Sequence, residues 1–313
     1  MALESGTYIK DLVSTNPPGT DAISQGDDHL RLIKSTIQAS FPSNTNAPTV
    51  PDIAGNGNKF LQVNSGATAT AWIAVRTAGS LNRATFAYKD ADEIYIGAGE
   101  YDLDGTTTAA YSWDSQLTFQ IGSGGSNAAS SAAGTSQWQY LYMDDSVISA
   151  SPLVAASFLN ATTAPTYNQS KHGWYNGSDR CIFAFYIDGS GNIEKWFHDG
   201  GDYVMLSDDY NNGGTTASAS YAAITIMMPS FVNKAECNVY IDGQIATARS
   251  YQYWRVTGSD GEHLLGRIED DDAEYVVNNV TIYTDSSNQI DILNNTAPNV
   301  KPYTAGWYIP GGM

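Results

Sequence analysis

The side chains able to do chemistry are few, and their spacing works against it. The acidic run Glu269-Asp270-Asp271-Asp272-Ala273-Glu274 is the densest set of oxygen ligands, and calcium takes about six to eight of them. Successive strand residues point to opposite faces, so one run converges poorly on an ion, and the calcium-loop pattern with its distal glutamate is absent. A solvated turn is the expectation there. Asp188-Gly189-Ser190-Gly191-Asn192-Ile193-Glu194 is too short for a full ligand set and reads as a hairpin turn. His29, His172, His198 and His263 are the only histidines, and none is paired at zinc-ligand spacing. His198-Asp199 has the residue types of a hydrolytic pair, but no nucleophile elbow accompanies it. No phosphate-cradling Gly-Lys-Ser loop or dinucleotide fingerprint occurs either. Cys181 and Cys237 each adjoin an apolar, strand-like run and read as two buried thiols. The expectation is therefore no catalytic residue, no cofactor and no metal: the chain does not read as an enzyme.

Composition narrows the classes further. The 313 residues suffice for two or three modest domains. With 33 acidic residues against 15 Lys and Arg, the formal net charge is −18, which repels a phosphate backbone and argues against nucleic acid as a partner. The same charge disfavours anionic membranes, and no apolar run approaches the roughly 20 residues that span a bilayer, so no membrane insertion is expected. Residues 1–20 lack a basic start followed by an apolar core; no secretory signal is expected, and synthesis in a cytoplasm fits.

The elements that must position any functional group are mostly strands. Charged residues are only 15% of the chain, while Gly, Ser, Thr, Asn and Tyr are abundant, a balance suited to many short strands joined by tight turns. Strand-like runs recur at Ala91–Gly97, Gln116–Gly122, Gln137–Met143 and Cys181–Ile187. Asp104-Gly105, Asn176-Gly177, Asp188-Gly189, Asp199-Gly200 and Asp242-Gly243 suit the positive φ angles of tight hairpins. Gly122–Gly134 reads as an exposed loop. Ile224, Ile226 and Met228 alternate with Ala223, Thr225 and Met227, and further strands are expected at Val276–Tyr283 and Gln289–Leu293 around a turn at Asp285–Asn288. The closing residues Gly306–Met313 offer aromatic side chains for packing, with no requirement that the last ones be ordered. Trp138, Trp174, Trp196 and Trp254 are either core residues or sugar platforms. The expected fold is mainly β: a short N-terminal helix and linker, then two antiparallel β-sandwich-like domains. The expected divisions are 1–42, a linker and short hairpin at 43–75, a central β domain at 76–210 and a C-terminal β-sandwich at 211–313.

The N-terminal segment stands apart from this body. Asn16-Pro17-Pro18-Gly19 is too rigid, and too poor in amide donors, to join a helix. One helix is expected at about 25–40, with Ser24 and Asp27 at capping-box spacing and Pro42 marking the stop. Leu30, Ile33, Ile37 and Phe41 form one stripe, Asp28, Arg31 and Ser35 face away, and Leu32 is expected to point outward. An isolated amphipathic helix has nothing local to bury against, so the stripe meets either the downstream domain or another chain.

Gly6-Thr7-Tyr8-Ile9, Asp11-Leu12-Val13, Asn16-Pro17, Gly19-Thr20-Asp21, Ser24-Gln25-Gly26-Asp27-Asp28-His29-Leu30-Arg31-Leu32-Ile33-Lys34 and Phe41-Pro42 together resemble the N-terminal segment of bacteriophage tail-fibre and related virion-fibre proteins. Lys59 to Trp72 reads as a local hairpin, and it also resembles Gly-Lys-x-Leu segments that connect domains where three fibre chains intertwine, although Asn58 replaces the glycine. Lys171–Ile182 with Phe197–Gly201 resembles a recurring domain of phage tail proteins. The resemblance implies a structural subunit on the virion, made in a host cytoplasm, homotrimeric, and docked to tail or capsid proteins. Within residues 1–42 the docking contacts would be Tyr8, Ile9, Leu12, Val13, Leu30, Ile33, Ile37 and Phe41. The distal domains would face a host-surface glycan or protein. Capsid decoration and a carbohydrate-binding or carbohydrate-degrading tail module are the alternative readings.

Overall fold

The one described α-helix, α1, spans Gly26–Ser40, against an expected 25–40. It belongs to a computed structural model that describes residues 26–40, 59–63, 70–74, 80–104, 110–243, 250–268 and 274–313. The expected capping residue Ser24 and the linker to residue 58 lie outside the described residues. The chain divides into two units, Met1–Val75 and Arg76–Met313. It is mainly β, with antiparallel sheets.

Within the first unit, the covered face of α1 is not the one its apolar spacing selects. Leu30, Ile33 and Ile37 are 58%, 39% and 46% exposed, whereas Thr36 is buried and Leu32 half-buried. The outward placement expected for Leu32 is thus corrected. Thr36 tolerates burial because its hydroxyl donates to the Leu32 carbonyl at 2.7 Å, leaving no unpaired donor. Downstream, β1 (Lys59–Val63) and β2 (Thr70–Ala74) pair antiparallel from Lys59↔Ala74 to Val63↔Thr70 as a short hairpin.

The second unit is built from three successive groups of strands. The first comprises β3 (Ser80–Asn82), β4 (Phe86–Tyr88), β5 (Glu93–Ile96), β6 (Gly99–Asp102), β7 (Ala110–Trp113) and β8 (Leu117–Gln120). They form two small sheets, ordered β4-β5-β8 and β3-β6-β7. In β5 the alternation is clean: Ile94 and Ile96 are buried while Glu93 and Tyr95 are not.

The second group is β9 (Gln137–Met143), β10 (Phe158–Ala161), β11 (Thr166–Asn168), β12 (Gly173–Asn176) and β13 (Asp179–Ile187), in the order β10-β9-β13-β12-β11. The β12–β13 turn is Gly177-Ser178, one residue on from the expected Asn176-Gly177: Asn176 ends β12 opposite Asp179, and Gly177 takes φ +62. The Gly122–Gly134 stretch has no strand, as expected, but part of it is anchored. Asn127 is buried and its Nδ2 donates to Asp144 Oδ2 at 2.9 Å and to the Ala156 carbonyl at 2.8 Å.

The third group is an eight-stranded sheet: β14 (Trp196–His198), β15 (Tyr203–Asn211), β16 (Thr215–Thr225), β17 (Lys234–Gly243), β18 (Ser250–Val256), β19 (His263–Ile268), β20 (Glu274–Tyr283) and β21 (Gln289–Tyr308). β21 runs for 20 residues and pairs with β15, β16, β17 and β18. Its length carries the ladder across residue 211, where a boundary was expected. β15 pairs with β21 at Asn211↔Tyr303, and Asn212 Nδ2 donates to Pro302 O at 3.1 Å and Thr304 Oγ1 at 2.9 Å. Asn212-Gly213-Gly214 therefore turns the chain from β15 into β16 inside one sheet. Asp242-Gly243 is also corrected: it stays in β17, opposite Tyr275 and Glu274, because β17 is paired on both sides and the ladder outweighs the local turn preference. The Asp285 turn forms as expected, with Asp285 Oδ1 accepting from the Ser287 and Gln289 amides at 2.9 and 2.7 Å.

The sheets meet over an aromatic core. Phe183 of β13 touches rings from β4, β14 and β21, which is the face-to-face packing of a sandwich. The closing residues are fixed rather than loose: Met313 is fully buried, and Arg83 Nε donates to its carbonyl at 2.9 Å. Cys181 and Cys237 are free and buried, and burial pushes both thiols above their ordinary value.

Buried phenols give this core a pH limit. Burial raises Tyr101 to about 12, and its oxygen accepts from the Ala84 amide at 3.1 Å. Burial raises Tyr142 as well. An unfolded tyrosine ionises near pH 10, so above that pH the unfolded state holds fewer protons than the native one and stability falls. The stabilisation is complete below pH ~10 and lost as pH rises towards ~12, with Tyr101 alone accounting for up to about 3 kcal/mol. Urea midpoints measured across that window should drop steadily, and a flat profile would contradict the burial of these phenols.

Candidate functional site

Two surfaces could act on another molecule. The first is the α1 stripe. Of the residues expected to dock, Leu30, Ile33 and Ile37 are exposed together on one helix face, while Tyr8, Ile9, Leu12, Val13 and Phe41 lie outside the described residues. Spacings of three and four residues put the stripe on one side of the helix. Nothing among the described residues covers it to the degree a buried face requires.

The second surface is a groove of about 530 Å³ in the Arg76–Met313 unit. Aromatic side chains from three strands line it: Trp138 of β9, Tyr186 of β13 and Tyr210 of β15. They pack edge to face rather than ring on ring. Trp138 and Tyr186 stand 5.4 Å apart at 64°, and Tyr186 and Tyr210 stand 6.0 Å apart at 71°. The register of β15 against β21 breaks between Met205 and Tyr210, and such irregularities re-aim side chains at functional edges.

Polar groups line the groove as well. Asn211 ends β15, Asn212 and Gly213 follow it, and Ser287 and Asn288 come from the turn before β21. Asn212 is fixed through Pro302 and Thr304, and its Oδ1 accepts from the Met227 amide at 2.7 Å. Asn288 holds φ +58, and its Nδ2 donates to Met228 O at 3.0 Å. Its buried Oδ1 has no partner among the described residues. Burial, then the neighbouring Tyr210, hold the Tyr186 phenol above its ordinary value.

The other candidates resolve into structural parts. His198 Nδ1 accepts from the Phe86 amide at 3.1 Å and Nε2 faces the Gly201 carbonyl at 3.0 Å, so the ring bridges two backbone groups. Asp199 Oδ1 accepts from the Gly201 amide at 2.8 Å. Asp188 caps its own turn: the Asn192 and Ser190 amides donate to it, and these backbone bonds hold its carboxyl below the ordinary value. Residues 269–273 of the acidic run lie outside the described residues. Asp90, Asp92 and Glu93 bring carboxylates within 4.8 Å of one another, but Lys89 pairs with Glu93 and Gln120 Nε2 donates to Asp92 at 2.9 Å. Trp196 and Trp254 are core residues, at 3% and 4% exposure. Half-buried Trp174 donates its Nε1 to the Gly311 carbonyl at 3.0 Å. Of the four tryptophans that could serve as sugar platforms, only Trp138 lines the groove.

No family model matches the chain, and no curated protein matches it. Among solved structures, that of infectious bursal disease virus Gx strain aligns with 88% of this chain and 78% of its own, at 9% identity and a TM-score of 0.18. A likeness that slight carries no argument.

Proposed function

We propose that the protein is a non-enzymatic bacteriophage virion subunit, a homotrimeric fibre or fibre-adaptor that docks to a tail or capsid protein through residues 1–42. The β unit then projects towards the host. The observation that carries this reading is the exposed Leu30, Ile33 and Ile37 stripe, lying inside the segment whose sequence resembles fibre N-termini. Each such side chain contributes about 1.5 to 3 kcal/mol when fully removed from water, so three of them repeated over several chains anchor a fibre firmly. The engagement of His198, Asp199 and Asp188 with backbone groups supports a binding role over a catalytic one.

Deleting residues 1–42 should abolish incorporation into particles while circular dichroism and melting of the remaining chain stay unchanged. The Arg76–Met313 unit keeps its own core under that deletion. Leu30→Ser, Ile33→Ser and Ile37→Ser combined should reproduce the defect. Normal incorporation of either variant would rule out docking by this segment, and a monomeric mass in light scattering would rule out the trimer.

A further inference from the structure

The groove at Trp138, Tyr186 and Tyr210 has a composition that selects a ligand, and we propose that it binds a neutral saccharide. The inference concerns the β unit and stands whether or not residues 1–42 dock to a virion. Pyranose rings present apolar C–H faces and a rim of hydroxyls, so their sites pair aromatic surface with a few fixed polar groups. The three half-buried rings supply the first. For the second, Asn211 accepts the Gly213 amide on its Oδ1, leaving its Nδ2 without a partner among the described residues, and exposed Ser287 offers a hydroxyl.

Charge excludes the main competitors. None of the groove's lining residues is acidic or basic, and the chain carries a net −18, which disfavours sulfated, phosphorylated or sialylated glycans. A peptide would add a strand to a sheet edge or fill an apolar trough, whereas the rim here is polar, made by Asn211, Asn212 and Ser287. The size also fits: about 530 Å³ falls in the range of small-ligand sites. Preorganisation comes from Asn212 and Asn288, whose amide groups tie β21 and the Met228 loop in place without a ligand.

The test uses the full chain on an array of immobilised neutral and anionic glycans, followed by calorimetry with the best binder. The expected result is saturable binding to at least one neutral glycan. Tyr210→Ala should weaken it by tenfold or more, and Thr225→Trp, which fills the groove from an exposed rim position, should abolish it. Both variants should melt close to the parent chain, since neither position is in the core. An array with no neutral binder, a preference for anionic glycans, or binding that survives Thr225→Trp would each overturn the assignment.

Discussion

Phe183→Ala is expected to lower the unfolding free energy of the β unit by about 3 to 5 kcal/mol, a large share of the roughly 5 to 15 kcal/mol that holds a folded protein together. The ring is fully buried. It stacks on Phe86 with centroids 4.2 Å apart at 15°, and lies 5.4 Å from Trp196, 6.0 Å from His198 and 5.9 Å from Trp307. Those four partners come from β4, β14 and β21, so truncation opens a void where separate sheets meet. Rings this large, held by their own strands, collapse poorly into such a void, which keeps the cost near the upper end for aromatic truncations. The melting temperature should fall on the order of 10 °C. Phe183→Leu keeps most of the volume and should cost less than half as much. A loss below about 1 kcal/mol for the alanine variant would mean the sheets are not joined through this ring.

The reach of the sequence follows the range of the forces involved. The turn at Gly177, to within one residue, and the turn at Asp285–Asn288 are legible because a tight turn needs particular residues within a few positions, and Gly177 at φ +62 and Asn288 at φ +58 supply them. The α1 bounds are legible for the same reason, through periodicity and Pro42. β21 is not. Only Gln289–Leu293 stands out as strand-like, and the rest of β21 contains Pro298 and Pro302, residues that are disfavoured inside a ladder. The strand nevertheless continues through Pro302, opposite Val239, and the Pro302 carbonyl accepts from the Asn212 amide at 3.2 Å. That pairing partner lies far along the chain and leaves no local mark. The same holds for Asp242-Gly243, whose turn chemistry loses to ladders on both sides.

The groove illustrates the limit most clearly. Trp138 attracts notice as a tryptophan, but Tyr186, Tyr210, Asn211 and Ser287 are ordinary strand and turn residues until β13, β15 and the Asp285 turn converge. The docking stripe is the opposite case, since one helix contains it whole. Even there, periodicity selects the apolar face but does not say which face the rest of the unit covers. Thr36 and Leu32 take that place because a hydroxyl bonded within its own helix is cheap to bury.

Arg180→Ala should cost about 3 kcal/mol and release the closing residues of the chain. Arg180 is fully buried in β13, with its guanidinium carbon 5.7 Å from the Tyr101 ring and 5.6 Å from the Tyr175 ring. Nη1 donates to the Asp102 carbonyl at 2.5 Å and to the Tyr175 hydroxyl at 3.0 Å, and Nη2 donates to the Gly312 carbonyl at 2.7 Å. One planar group thus joins β6, β12 and the last residues. Removing it takes a donor from each of these acceptors and opens a cavity between two rings; relief of the charge's own desolvation offsets part of that loss. Arg180→Lys should recover little, because an ammonium is a point donor and cannot span the same fork. Arg180→Met separates shape from hydrogen bonding: it fills the space, so whatever loss remains belongs to the missing hydrogen bonds. The readout is amide hydrogen exchange at Ile309, whose N–H donates to the Asp202 carbonyl at 2.6 Å, and at its neighbours Gly311 to Met313. Exchange there should accelerate more than in β9 or β13. Unchanged exchange would shift the anchoring to Met313 burial and to the bonds from Arg83 and Trp174, which hold the Met313 and Gly311 carbonyls independently of Arg180.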